Sequence, residues 1–412
     1  MEFLKHTLAN GLEIVAECNA QAYSTALGFF VRAGARDETD EIAGVSHFLE
    51  HMMFKGTPSR TADDVNREFD EIGASYNAGT GEEHTVYYAA VLPEYQDQAT
   101  ALLADILRPS LRGEDFDMEK QVILEEIYMH EDQPPFGADE KCRAAFFGEH
   151  PLARSVLGTI DSITALSPEA MRDYFAKRYS PQNVVLAAAG RVDFERLVAT
   201  AEAMCGRWER NGEERRLTSA HPATGFHVVQ KNAATQQYVV QFAPGPDCND
   251  PDRFAARLLA TVVGDDTGSR IFWELVDTGL AEQASLAHDE FDDAGAFVTY
   301  LSCTPDMVGE NLQRLHDLLV DLECRGITAE ELEQAKNKVS SRIVLSSERP
   351  LGRLFVIGGD WIQRREYRSV RTDLNAVAEV TAEQVNAVAT SYPLTRSTVM
   401  TIGPRADVTE PC

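Results

Sequence analysis

Two stretches of this chain repeat one pattern, and the repeat limits the possible folds more than any other feature. Ser167–Gly190 (SPEAMRDYFAKRYSPQNVVLAAAG) and Thr381–Gly403 (TAEQVNAVATSYPLTRSTVMTIG) each read as a capped helix, a tyrosine, a short loop and an apolar strand ending in glycine. Further upstream, Val65–Gly79 (VNREFDEIGASYNAG) lines up with Ile271–Ser285 (IFWELVDTGLAEQAS). A strand and a proline near the next helix start follow in both places. One matched pair is within reach of chance, but two pairs in the same order point to a duplicated domain.

Local patterns fill in that domain. Strands are predicted at residues 12–16, 24–31, 85–92 and 183–189, alternating with helices at 43–54, 62–72, 93–107, 115–129 and 168–179. Ser167, Pro168 and Glu169 form a helix start, with an N-cap, a first-turn proline and a first-turn acid. The expected fold is α+β, with two homologous domains, each an antiparallel-rich sheet packed with helices. A polar stretch with glycine and proline but no apolar period, 207–225, reads as the linker between domains at 1–206 and 226–412.

Composition narrows the function classes. A net charge of -28 over 412 residues disfavours nucleic acid or an anionic membrane surface as the partner. No apolar run is long enough to span a bilayer. The opening MEFLKHTLANGLEIVAEC lacks a basic start, an apolar core and a small-residue cleavage site, so it reads as a strand and not a secretory signal. Seven dispersed cysteines suggest reduced thiols and a cytoplasmic location.

One segment carries chemistry. GVSHFLEHMMFKGT (Gly44–Thr57) lies in a helical pattern, where residues four apart share a face. His47 and His51 can therefore present two imidazoles to one ion, with Glu50 beside the same point. Zinc takes imidazole and carboxylate ligands, and a carboxylate near its bound water can accept a proton. This is the inverted order of the HExxH motif. A third ligand is sought in EKQVILEEIYMHEDQP (Glu119–Pro134), a second helical pattern rich in carboxylates. Glu119 and Glu126 lie two turns apart on one face, while Glu125 points about 100° away from Glu126. His84, His130 and His150 read as ordinary hydrogen-bonded histidines.

With these segments in view, the chain resembles the pitrilysin or insulinase family of inverted zinc peptidases, as a bacterial member similar to processing peptidases. NGLEIVAE, VRAGARDE, GVSHFLEHMMFKGT, GASYNAGTGEEHTVYYAAVL and EKQVILEEI carry the likeness through the N-terminal half, and it continues more weakly beyond. The resemblance implies a zinc endopeptidase acting on peptides or unfolded segments, with Zn2+ as cofactor. It implies His47, His51 and Glu126 as metal ligands, Glu50 as the catalytic base and Glu119 as a supporting carboxylate. It also implies that peptide binds as an added strand along SYNAGT, at Asn77 and Ala78. Asn77 also fits a turn.

The C-terminal half departs from the family pattern. Where an Arg and a Tyr that reach the substrate are expected, ELVDTGLAEQ has Val276 and Glu282. Arg270 in GSRIF remains, either as a substrate contact or in a structural ion pair. The departure implies a dimer, either with a non-identical homologous subunit that supplies the missing pair or, as the rival, a homodimer. It also leaves open a non-catalytic peptide-binding or assembly subunit.

Overall fold

The computed structural model describes residues 1–210 and 215–411. Its strands are β1 (Glu2–Thr7), β2 (Glu13–Cys18), β3 (Thr25–Val31), β4 (Ser75–Thr80), β5 (Thr85–Val91), β6 (Val184–Gly190), β7 (Gly225–Gln230), β8 (Gln237–Pro244), β9 (Gln283–Phe291), β10 (Ala294–Cys303) and β11 (Thr398–Gly403). Its helices begin with α1 (Val45–Met53), α2 (Ala62–Glu71), α3 (Gln96–Ile106), α4 (Gly113–Asp132), α5 (Ala138–Phe147), α6 (Ile160–Ala165), α7 (Pro168–Arg178) and α8 (Phe194–Cys205). They continue with α9 (Arg253–Gly264), α10 (Val308–Arg325), α11 (Ala329–Ser347), α12 (Pro350–Arg364), α13 (Val370–Glu379) and α14 (Ala382–Ser391).

The strands form two sheets, ordered β1-β2-β6-β3-β5-β4 and β7-β11-β8-β10-β9. Setting β1 aside, the two orders coincide strand for strand. In each sheet one pair is parallel, β2 with β6 and β7 with β11, and the other pairs are antiparallel. The repeat read from the sequence is thus a repeat of topology, and the expected fold class is the observed one.

The chain divides into two compact units that do not follow the contiguous boundaries expected at 1–206 and 226–412. The first holds 1–128, 154–216 and 344–369, and the second holds 129–153, 217–343 and 370–412. The chain passes from one unit to the other inside α4 and inside α11. In the first unit α12 lies on the sheet, placing Leu354, Ile357, Trp361 and Ile362 against Val15, Ala26, Phe30, Val185, Ala187 and Ala189. In the second, α5 does the same, packing Cys142, Phe146 and Phe147 with Val240, Phe242, Met400 and Ile402. Each unit therefore takes a helix from the opposite half of the sequence.

That arrangement explains the strand composition. β3 and β6 are buried along their whole length. A strand covered on both faces reads as an unbroken apolar run, as VVLAAAG does. The large first core packs α1, α3, α4 and α8 on the opposite face. At Gly358 in α12 an added Cβ would meet the Phe30 ring at 2.2 Å, so the helix sits this close only because that residue has no side chain.

The expected linker lies partly outside the described residues, at 211–214. Arg215, which falls within the expected linker at 207–225, buries its side chain in the first unit, bonding Asp37 at 2.7 Å and Glu83 at 3.3 Å. Six cysteines are free thiols, while Cys412 lies outside the described residues. Among the described residues, no helix is long and apolar enough to cross a membrane.

Candidate active site

The site is built where α1 meets α4, and the sequence around α1 fixes how that helix starts. Gly44 precedes it at φ 88, a left-handed conformation that glycine adopts without strain. A Cβ there would lie 2.5 Å from the Leu157 carbonyl oxygen. The buried Glu38 carboxylate accepts the Gly44 and Ser46 backbone N–H groups at 2.6 and 2.7 Å. A helix N-terminus has unpaired donors and a positive dipole end, and a carboxylate satisfies both. Ser46 Oγ lies 2.7 Å from Tyr174 Oη of α7, which ties the same turn to the core.

Val45, Phe48, Leu49, Met52 and Met53 bury one face of α1. Phe48 stacks on Phe116 of α4 with ring centroids 4.7 Å apart. This contact sets the facing of the two helices and carries Glu119 and Glu126 to the histidines. His47 Nε2 and His51 Nε2 lie 3.8 and 3.7 Å from Glu126 Oε2. Their ligand atoms all fall within 4.8 Å of one another, and no other group among the described residues converges in this way. Ligand atoms about 2 Å from a common zinc lie roughly 3.3 Å apart, so the cluster is close to coordination distance as it stands. Glu125 is exposed on another face of α4.

The donor chemistry also fits a metal. Burial, with the neighbouring His51 charge, lowers His47 to about 4 and keeps its imidazole neutral. His51 Nδ1 is 2.8 Å from Glu119 Oε1. An N–H on Nδ1 directed at that carboxylate leaves the Nε2 lone pair for an ion. Burial acts to lower the His51 pKa, but the bond to Glu119 and the charges of Glu119, Glu126 and Glu50 raise it overall. Glu119 is itself buried, which works to raise its pKa, yet its bonds to His51 and Lys55 bring it below the ordinary value. Lys55 Nζ sits 2.6 Å from Glu119 Oε2.

Glu50 lies on the same turn. Burial raises its pKa, opposed by a bond from Thr80 and the His51 charge, while Glu126 raises it further. A carboxylate brought toward neutral in this way is suited to proton transfer. Thr80 Oγ1 donates to Glu50 Oε2 at 2.6 Å.

The structure brings His47, Glu50, His51, Glu119 and Glu126 together. Asn77 and Ala78 lie in β4, an extended strand and not a turn, which pairs with β5 and ends the first sheet. Asn77 is exposed, and its Oδ1 accepts from the Ala78 backbone at 2.9 Å. Arg270 belongs to the second unit, where Nε and Nη2 donate to the Glu331 carboxylate at 2.7 and 3.0 Å and Nη2 also donates to the Gly326 carbonyl. Of its two expected roles, the geometry favours the structural ion pair. Val276 packs against the second core, and Glu282 accepts a bond from Gln236. His150 bonds the Thr218 carbonyl at 2.8 Å, an ordinary role as expected. Sequence reasoning missed Glu38, Lys55, Thr80 and Tyr174. The signal for Thr80 was present, since it closes the same SYNAGT segment singled out for peptide contact.

Comparison with known proteins places the site in a family. Residues 13–160 match the sequence pattern of the insulinase family, Peptidase family M16, and residues 165–339 match the Peptidase M16 inactive domain. The chain belongs to the M16 insulinase family. It is similar to an uncharacterized zinc protease of Mycobacterium leprae, 34% identical with 97% of this chain and 91% of that one covered. It is also similar to YmxG, an uncharacterized zinc protease of Bacillus subtilis, 30% identical over 93% of this chain and 94% of that one. A protease from Helicobacter pylori shares the fold, with a TM-score of 0.91 at 21% identity over 98% of this chain and 99% of that one.

Proposed function

We propose that the chain is a zinc metalloendopeptidase that hydrolyses peptides or unfolded segments. The observation that carries this reading is the convergence of His47, His51 and Glu126 on one point, with Glu50 on the same helix turn. Zinc held by those three residues would polarise a peptide carbonyl and acidify a water. Glu50 takes the water proton on its carboxylate and hands it to the leaving amine. Glu119 holds the His51 ring through Nδ1, and Lys55 holds Glu119. Peptide adds as a strand to the open edge of β4 beside Asn77 and Ala78, so backbone pairing supplies affinity with little demand on sequence.

Among the described residues the second unit has no such cluster, and it lacks the expected Arg and Tyr. This favours a dimer in which a non-identical homologous subunit completes the substrate grip, as in a processing peptidase. It also gives weight to a non-catalytic assembly subunit as the second reading. Metal analysis combined with peptide cleavage separates the two. The enzyme reading expects one zinc per chain, removable by a chelator together with activity, and a candidate partner chain that raises the rate. Purified chain with no zinc and no cleavage, with or without a partner, favours the assembly subunit.

A further inference from the structure

The Thr80 hydroxyl joins the proposed base to the strand proposed to receive substrate, and its surroundings leave it a single role. Thr80 is the last residue of β4 and pairs with Thr85 at the closing end of the β4–β5 hairpin. Its Oγ1 lies 2.6 Å from Glu50 Oε2 and 3.3 Å from Thr85 Oγ1. The Thr85 hydroxyl proton is already committed to the Ala33 carbonyl, at 2.9 Å. A hydroxyl has one proton to give. Thr80 therefore directs its own to Glu50, because a carboxylate is the stronger acceptor and lies closer than the Thr85 hydroxyl.

The hairpin end that presents Thr80 is held firmly. Gly81 N donates to the His84 carbonyl at 2.9 Å and closes the turn. The Ala35 and Arg36 amides donate to the Gly81 and Glu82 carbonyls. Gly34 lies so close to this loop that a Cβ there would be 2.4 Å from the Gly81 oxygen. Glu83 is buried and paired with Arg36 at 2.8 Å and with Arg215 at 3.3 Å. A loop fixed by buried charge pairs and backbone bonds has little freedom to move Thr80 away from the carboxylate.

We propose that Thr80 is a positioning residue for the base. Its hydroxyl holds Oε2 of Glu50 and so sets the carboxylate plane, which turns the other oxygen to the reacting water. Because Thr80 is also part of the edge strand, one element sets both where the peptide lies and how the base points. This inference rests on the peptidase reading above.

The test compares Thr80→Val, which keeps the β-branched shape and loses the donor, with Thr80→Ser, which keeps the donor. In a peptide-cleavage assay T80V is expected to lower kcat about tenfold or more, the size of one lost bond to a charged group. KM and bound zinc stay near wild type, and T80S recovers most of the loss. Unchanged kcat in T80V, or an equal loss in T80S, overturns the proposal. If the wild-type chain holds no zinc and cleaves nothing with or without a candidate partner, the peptidase reading fails, and the positioning role is then read from crystal structures of the wild type and T80V. A single Glu50 carboxylate position in the wild type that is displaced in T80V supports the role, and an unmoved carboxylate overturns it.

Discussion

The two units share one frame and carry different side chains at the same place in it. In the first, β3 leads into α1, with His47, Glu50 and His51 on one face. In the second, β8 leads into α9, and RFAARLLATVVG buries Ala255, Ala256, Leu258, Leu259, Val262 and Val263. The second helix after the edge hairpin shows the same contrast. α4 offers Glu119 and Glu126 to the histidines, whereas the α11 carboxylate Glu331 is bound to Arg270. The second unit commits the Glu331 carboxylate to Arg270 and fills its helix face with aliphatic side chains. The first leaves three ligand atoms facing one point. Once a fold holds itself together by its sheet and core, a helix face can be exchanged between packing and chemistry.

The largest test of that contrast removes the base. Glu50→Gln is expected to lower kcat by about 10²–10⁴-fold with zinc retained. Metal analysis should find one zinc per wild-type chain, all of it lost in His51→Ala. Two zincs per chain would break the comparison, since the second unit then also binds metal.

Next in size is the helix that each unit takes from the other half of the sequence. Arg353 of α12 pairs with Glu17 of β2 at 2.6 Å, both almost fully buried, and Tyr367 also bonds Glu17. Removing one member of a buried pair leaves the other charge uncompensated. Arg353→Ala should therefore cost about 3–5 kcal/mol in denaturant unfolding. A loss below 1 kcal/mol would show that α12 contributes little to the first unit.

Glu119→Gln keeps the shape near His51 but removes the charge. Zinc affinity, measured by competition with a chelator, is expected to weaken about 10–100-fold, the usual effect of losing a carboxylate behind a histidine ligand. An unchanged affinity would assign Glu119 to Lys55 alone.

The smallest effects separate two helix caps. α2 starts with Thr61 and Asp64 in a capping box, and α14 with Thr381 and Gln384. Thr381→Ala should cost about 1 kcal/mol at any pH. Asp64 is lowered from 3.8 to about 2 by its bonds to Thr61 and then to Arg67. Its folded pKa lies below its unfolded one, so its contribution is complete above 3.8 and disappears as pH falls through 2. The stability gap between Thr61→Ala and wild type should therefore narrow over that window to the Thr61 Oγ1 cap alone, while Thr381→Ala keeps its full offset. Parallel behaviour of the two variants would count against the box at Asp64.

Much of the molecule was legible in its residues. Helix and strand positions follow from apolar period and caps, because these depend on neighbours a few residues apart. The histidine pair and its base follow from helical spacing alone, and the repeat by itself points to a duplicated frame. The third ligand and the SYNAGT strand needed the family resemblance as well. For a carboxylate seven residues from another, spacing says which face it shares but not what that face meets.

Tertiary structure decided the rest, for one physical reason: the missing information was long-range. The sequence alone determined a twofold α+β chain with an inverted zinc motif on its first helix. Only packing showed that α5 and α12 cover sheets from the opposite half of the chain, because no local pattern states which face a distant helix will bury. Only packing stacked Phe48 on Phe116 and so brought Glu126 to the histidines. It also tied Arg270 to Glu331 and placed the Thr80 hydroxyl against Glu50. A hydrogen bond between residues thirty positions apart leaves no periodic trace in the chain, and only the folded geometry records it.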